Sequence, residues 1–320
     1  MAHEVEHMAF AHEVPWHGLG TQVRTDQTLE EWRDAARLNW GVGMQPIYVE
    51  AAGGTHQRIP RHMAVMRDSD NRVFDVVSER FKPVQNESIL EFFRYFCDAG
   101  GATMETLGSL KEGRIVWGLA NLGTGFVLPD GDAVKGYILL QTRHEAGYAT
   151  VARTTPIRVV CANTMAMAMT DGNGVDRGRF PHTEVFNPKA AAEACELARV
   201  QFSRFEKDAN ILRSLRISDE DAKRILLPAY QPPGYDAETA DEAVRDKVNA
   251  LLDRILLIGK EGPGGDVSAG TAWGVLNGVT YMHNHMARNT AGGGRFASAI
   301  DGLANRTMNK VKQDLLALAA

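Results

Sequence analysis

Cysteine is scarce in this sequence of 320 residues. Cys97, Cys161 and Cys195 are the only three, widely spaced, in apolar surroundings and without a CxxC pair. That excludes a disulfide framework and fits packing thiols in a reducing compartment. Long apolar runs are missing too, and none approaches the ~20 residues that cross a bilayer. The first residues, MAHEVEHMAFAHEVPWHGLG, lack a basic segment followed by an apolar one, so no secretion signal is expected. Charge of one sign does not dominate. The net −5, from 35 Lys and Arg against 40 Asp and Glu, gives no global pull towards nucleic acid. Catalytic signatures are absent as well: there is no GxxxxGK[ST], no G-x-G-x-x-G opening a βαβ unit, no G-x-S-x-G and no HExxH. His3, His7, His12 and His17 do not share one helical face, and His283 and His285 fall ~200° apart on a helix. An enzyme, a cofactor and a metal centre are therefore not expected.

What is present reads as a soluble globular chain, 44% hydrophobic and 23% charged, long enough for one large or two ordinary domains. Residues 1–60 show little beyond a folded loop at Pro15–Gly20 and a short helix over 28–38, with Leu29, Trp32 and Ala36 facing the core. A hairpin follows, 62–67 and 72–78 around Asp68–Asn71, which sets Val65 opposite Phe74 and Met63 opposite Val76. Asn86 is placed to cap a helix that reaches about residue 99 and buries Ile89, Phe92, Phe93 and Phe96. Two more hairpins pair 103–110 with 114–121 and 137–143 with 148–154, joined by a glycine-rich connector over 123–132. Beyond Asn187-Pro188 the texture is helical: 188–216, a helix from Ser218, one behind a capping box at Thr239–Glu242, one over 271–288 and a last one to about 319. The loop 259–270 separates the middle pair. The fold class is α+β, an antiparallel β-meander sheet with packed helices over 1–182, N-terminal extension included, followed by a helical C-terminal region over 183–320.

The stretch Tyr148–Met169 joins the two textures. Asn163 is expected to end a strand and cap a helix starting at Thr164. Positive charge gathers around it, with six Lys and Arg against three acids between Val134 and His182. A four-residue loop at 144–147 sets Arg143 opposite Tyr148 and Gln141 opposite Thr150, on a side expected to be exposed. Arg143, Tyr148, Thr150, Arg153, Arg158, Arg177 and Arg179 are thus candidate nucleic-acid-binding residues, arginines for phosphates and Tyr148 for base stacking. The plain alternative is a solvated sheet face with scattered ion pairs.

Three motifs carry a resemblance. PWHGLG, RVFDVVSERFKPVQN and TPIRVVCANTM, the last followed by His182-Thr183, resemble a phage/plasmid-like family of unknown function. In element order the chain is also similar to single-strand annealing proteins of the RecT/Erf kind, which bind single strands in a basic groove and form rings or filaments. The resemblance implies a phage-encoded single-stranded nucleic-acid-binding protein, an annealing protein in recombination, in the cytoplasm of the bacterial host. It implies a homo-oligomer, which open sheet edges would also favour, with no membrane partner. A non-enzymatic protein-interaction or counter-defence module is the alternative. An enzyme built around Arg158, Asn163 and His182 is the third reading.

Overall fold

The structure is a computed structural model that describes residues 5–12, 18–98, 101–129, 131–158, 163–164, 178–286, 298–299 and 302–319; over 157–158, 163–164 and 194–201 it describes the backbone alone. The expectations on Cys161, on the loop starting at Pro15 and on a helix after Asn163-Thr164 lie outside these residues.

Local chemistry explains the first helix. The Thr28 hydroxyl accepts the Glu31 N–H at 3.2 Å while the Glu31 carboxylate accepts the Thr28 N–H at 2.7 Å. This reciprocal cap starts α1 (Leu29–Ala35), which buries Leu29, Trp32 and Ala36 as its spacing predicts.

The strands divide between two sheets. β3 (Val42–Ala51), β4 (Thr55–Arg67) and β5 (Val73–Ser78) form a three-stranded antiparallel sheet. The larger one runs β10-β9-β8-β7-β6-β1-β2, built from β1 (Val5–Phe10), β2 (Thr21–Gln22), β6 (Thr103–Leu110), β7 (Ile115–Val127), β8 (Ala133–Arg143), β9 (Ala149–Arg158) and β10 (Asn163–Thr164), with β11 (Arg179–Pro181) added on β9. β1 and β2 are parallel and β1 and β6 antiparallel, so this sheet is mixed. α2 (Asn86–Cys97) lies between β5 and β6, while β1 and β2 reach the larger sheet from ahead of the small one. The α+β class holds; the single meander resolves into two sheets, and β1 joins the larger one from a segment that sequence patterns left unread.

Register supplies the first correction. The four-residue turn is as expected, since Arg67 N–H bonds Arg72 O at 2.9 Å and Met66 pairs with Val73. A bulge then absorbs Phe74, so Val65 faces Asp75 and Met63 faces Val77. The extra residue breaks the two-residue alternation and lets Phe74 and Val77 both turn inward while Val73 and Val76 stay exposed.

Asn86 is the second correction. It sits inside α2, whose N-cap is Gln85 with no side-chain cap. Its buried amide instead donates to the carbonyls of Leu38 (3.1 Å) and Trp40 (2.8 Å), tying the chain after α1 to α2. Asn86→Ala strands both carbonyls and is expected to cost about 2 kcal/mol, read as a lower urea midpoint at unchanged slope.

Asn163 is the third. It lies in β10 opposite Arg158, with Thr164 opposite Ile157, so both are strand residues and Asn163 continues a strand pairing where it was expected to end one. The glycine-rich connector is also shorter than expected, since β7 continues to Val127 and turns through 128–132 into β8. β10 and β11 cover the outer edge of β9 at 157–158 and 149–151, and the opposite edge is the two-residue β2. Among the described residues, then, the larger sheet offers no long open edge for pairing with another copy.

The C-terminal half is helical: α3 (Pro188–Ser214), α4 (Asp219–Tyr230), α5 (Glu242–Glu261), a single turn α6 (Gly265–Ser268), α7 (Ala272–Tyr281) continued by a π-helical turn at Met282–Met286, and α8 (Leu303–Leu316). Asn187 and Ser218 cap α3 and α4 through Ala190 N–H (3.1 Å) and Asp221 N–H (3.1 Å). The box expected at Thr239 does not form; α5 starts two residues later, behind Asp241. α5 and α7 cross at glycines, where a β-carbon on Gly278 would lie 2.3 Å from the Ile255 carbonyl oxygen. None of the described helices is long and apolar enough to cross a membrane.

Two compact units result. One comprises 1–123, 137–154 and 168–198; the other comprises 124–136, 155–167 and 199–320. The first has its core around Trp32, Phe92, Phe93, Leu107 and Ile138, the second around Phe205, Leu212, Ile255, Trp273 and Met308.

Candidate nucleic-acid interface

The hairpin expected to carry the site is buried on both faces. β8 and β9 leave five residues between them, and Thr142 and Thr150 share a hydroxyl bond at 2.7 Å, which replaces the register that set Gln141 opposite Thr150. Thr150 is 0% exposed, Arg153 3% and Arg143 4%. An exposed basic face on these residues is therefore corrected to an interior one. Alternation predicts one wet face only where the other alone is covered, and here both are. Arg143 lies 3.6 Å over the Tyr148 ring, with Glu145 at 3.5 Å, so only Tyr148 keeps a large exposed surface. Arg179 is exposed on β11, opposite Val151. Arg158 ends β9 opposite Asn163. Arg177 and the side chains of Arg158 and Asn163 lie outside the described residues.

This interior is unusually polar. Gln141 Oε1, both ring nitrogens of His144, Thr154 Oγ1 and His182 Nε2 have no hydrogen-bond partner among the described residues. His144 packs between Phe74, stacked at 5.3 Å, and Trp40, edge-on at 5.8 Å. Burial, and then the neighbouring His182, lower its pKa to about 3. Among the described residues no three His, Cys, Asp or Glu gather closely enough to hold a metal ion.

Free positive charge lies elsewhere in the same unit. Beyond the bulge that follows Pro46, β3 and β4 continue as a two-stranded arm, with Tyr48 opposite Arg58 and Glu50 opposite His56. Gly53 and Gly54, both at positive φ, make its tip. Nearly all of 45–62 is exposed. A two-stranded ribbon alone is marginally stable in water, so an arm bare on both faces is a surface in want of a partner. Directly opposed residues share a face, so Tyr48 and Arg58 present one surface.

The base of the arm adds more charge. Glu79 N–H bonds Arg61 O at 3.2 Å and brings the loop Glu79–Lys82 alongside. Phe81 in that loop stacks on His182 at 4.6 Å, and Lys82 holds His182 twice, its N–H donating to the His182 carbonyl and its own carbonyl meeting the ring Nδ1. Anchoring Phe81 inward leaves Arg80 and Lys82 exposed on either side of it. Arg58, Arg61, Arg80 and Lys82 have no carboxylate within ion-pair distance among the described residues, whereas Arg24, Arg33, Arg67, Arg72 and Arg94 of the same unit are all paired. Sequence reasoning missed these four. A usable signal was the Gly-Gly between two β-rich runs, YVEAAGGTHQRI.

Comparisons with curated proteins and with solved structures find no match. A family defined as a domain of unknown function, DUF932, matches residues 73–315, which takes in Arg80, Lys82, His144 and His182 and leaves the arm outside. By that match, over most of its length, this chain belongs to the DUF932 family.

Proposed function

We propose that the protein binds single-stranded nucleic acid along the β3–β4 arm and the loop at its base, and not along the β8–β9 hairpin. The observation that carries this is the grouping of four exposed, carboxylate-free cations beside an exposed Tyr48 in a chain of net charge −5. Phosphates need cations that are not already paired with carboxylates, and a base needs an open ring face. The phage or plasmid setting, an annealing role in recombination and assembly into a homo-oligomer belong to the same proposal, resting on the motif resemblance and on element order.

Fluorescence anisotropy with a labelled single-stranded oligonucleotide, titrated at several salt concentrations, tests it. Each of Arg58→Gln, Arg61→Gln, Arg80→Gln and Lys82→Gln is expected to weaken binding to every sequence alike. Each should also lower the salt slope by about 0.7, the share of one neutralised phosphate on a single strand. Tyr48→Ala is expected to cost about 1–3 kcal/mol at an unchanged slope, because stacking releases no counterions. Unaltered affinity in the folded quadruple variant removes the arm from the site. No binding by the wild type favours the protein-interaction reading, for which a bare arm is equally suited.

A further inference from the structure

The same unit holds a cleft that shares no lining residue with the arm or the loop at its base. It has a volume of about 510 Å³ and opens between β1, the segment leading into β2 and the end of α1. That volume falls in the range of small-molecule sites, roughly 300–1,000 Å³. Met8, Leu19 and Ala35 give it apolar wall, and Glu6, His7 and Arg37 give it polar groups. Glu6 is already matched. Its carboxylate accepts from Arg67 Nη1 at 2.9 and 3.2 Å and from the Ser109 hydroxyl at 3.0 Å. Arg37 is not, and among the described residues no carboxylate stands within ion-pair distance of its guanidinium. Among the described residues, the charge left over in the cleft is therefore positive. His7 shares this environment, since burial lowers its pKa and the nearby Arg37 charge adds to that against Glu6.

The backbone of Arg37 argues the same way. α1 ends in a pair of reverse bonds, Leu38 N–H to Arg33 O at 3.0 Å and Arg37 N–H to Asp34 O at 3.1 Å, which place residue 37 at φ +54. Glycine is the usual occupant of that position, because a β-carbon there is strained. An arginine is held in a conformation that it disfavours, with its side chain lining the cleft.

We propose that this cleft binds a small organic anion, a carboxylate or phosphate ester carrying an apolar body, with Arg37 on the anionic group, His7 beside it and Met8, Leu19 and Ala35 against the body. The site is independent of the arm and of any nucleic acid.

Calorimetric titration of the full chain with phenyl phosphate, benzoate, inorganic phosphate and phenol tests it. Phenyl phosphate or benzoate is expected to bind at least about ten-fold more tightly than inorganic phosphate and phenol, and the preference between the first two reads the head group. Arg37→Gly is expected to lose about ten-fold or more in that affinity while the melting temperature holds or rises, since glycine takes this φ without strain. Arg37→Asn, also tolerant of the left-handed region, is the second variant and is expected to behave alike. Phenol binding as tightly as phenyl phosphate, no binding by either organic anion, or unchanged affinity in both folded variants overturns the proposal.

Discussion

Replacing Arg67 by alanine is expected to cost about 3–5 kcal/mol, the range for removing one partner of a buried ion pair. Its side chain is 8% exposed and makes two kinds of contact at once. Nη1 donates to Glu6 on β1 at 2.9 Å; Nε and Nη2 grip Asp70 in the turn at 2.9 and 2.7 Å. The guanidinium carbon also lies 5.2 Å from the centre of the Trp40 ring. Hydrogen bonding to Arg67 holds the Asp70 carboxyl down at about 2. Alanine leaves the Glu6 carboxylate uncompensated where it is 14% exposed, and removes one of the polar ties between the small sheet and the large one, beside those of Arg114 to the Phe74 carbonyl and of Ala146 N–H to Asp75. Urea unfolding at neutral pH measures the loss. Arg67→Lys should recover little, since an ammonium cannot reproduce the planar two-point grip on Asp70 while also reaching Glu6. Adding Glu6→Gln to Arg67→Met should recover part of it by removing the orphaned charge. A loss below about 1 kcal/mol for Arg67→Ala would show that the ion triad does not hold the sheets together.

Acid is the second large lever. His144 is fully buried and stays neutral in the folded chain, its pKa lowered to about 3, by burial first and by His182 second. Burial lowers that of His182 too, partly opposed by the bond to the Lys82 carbonyl. Unfolded, each histidine takes a proton near pH 6.5, so the unfolded state binds more protons below that pH and stability falls as pH falls. For His144 the fall begins near 6.5 and continues to about 3. At about 1.4 kcal/mol per unit, it reaches about 2 kcal/mol by pH 5. His144→Phe keeps the stack on Phe74 and removes two orphaned nitrogens. Its stability at pH 7 should equal or exceed the wild type, with a shallower slope between pH 6.5 and 4. Chemical denaturation across that range decides it, and an unchanged slope would place the acid sensitivity elsewhere.

What the sequence revealed follows from how far each signal reaches along the chain. Thr28 with Glu31, Asn187 ahead of Pro188 and Ser218 ahead of three acids act within one turn, and all three helix starts were legible. The phenylalanines of α2 were legible for the same reason. Phe74 was not, because a bulge is a property of two strands together. Nor was the burial of Thr150 and Arg153, since a strand's pattern says which residues share a face and not what lies over it. Asn86 misled for a related reason: the residue that caps a helix so well also bonds carbonyls well, and two distant ones claimed it. The arm went unread with the rest of 1–60, since Pro46 interrupts its first strand at a bulge, which again is a property of two strands together. The cationic loop was hidden in plain view. Its Arg80-Phe81-Lys82 lies within a motif that carries the family resemblance, but only the anchoring of Phe81 on His182 shows which two of the three face outward.

The division of the chain between its two units bears on how it must be made and cut. Each unit draws on three separate stretches, and β7, β8 and β9 each pass from one to the other. A ribosome that has released residues 1–123 has delivered most of the first unit, with β7 still waiting for β8 as its neighbour. That interval exposes an unpaired strand edge during synthesis. No single cut yields either unit as one continuous piece, so truncation at residue 182 would remove parts of both. Dissection of this protein calls for point variants or for circular permutation, and fragments expressed alone are expected to aggregate.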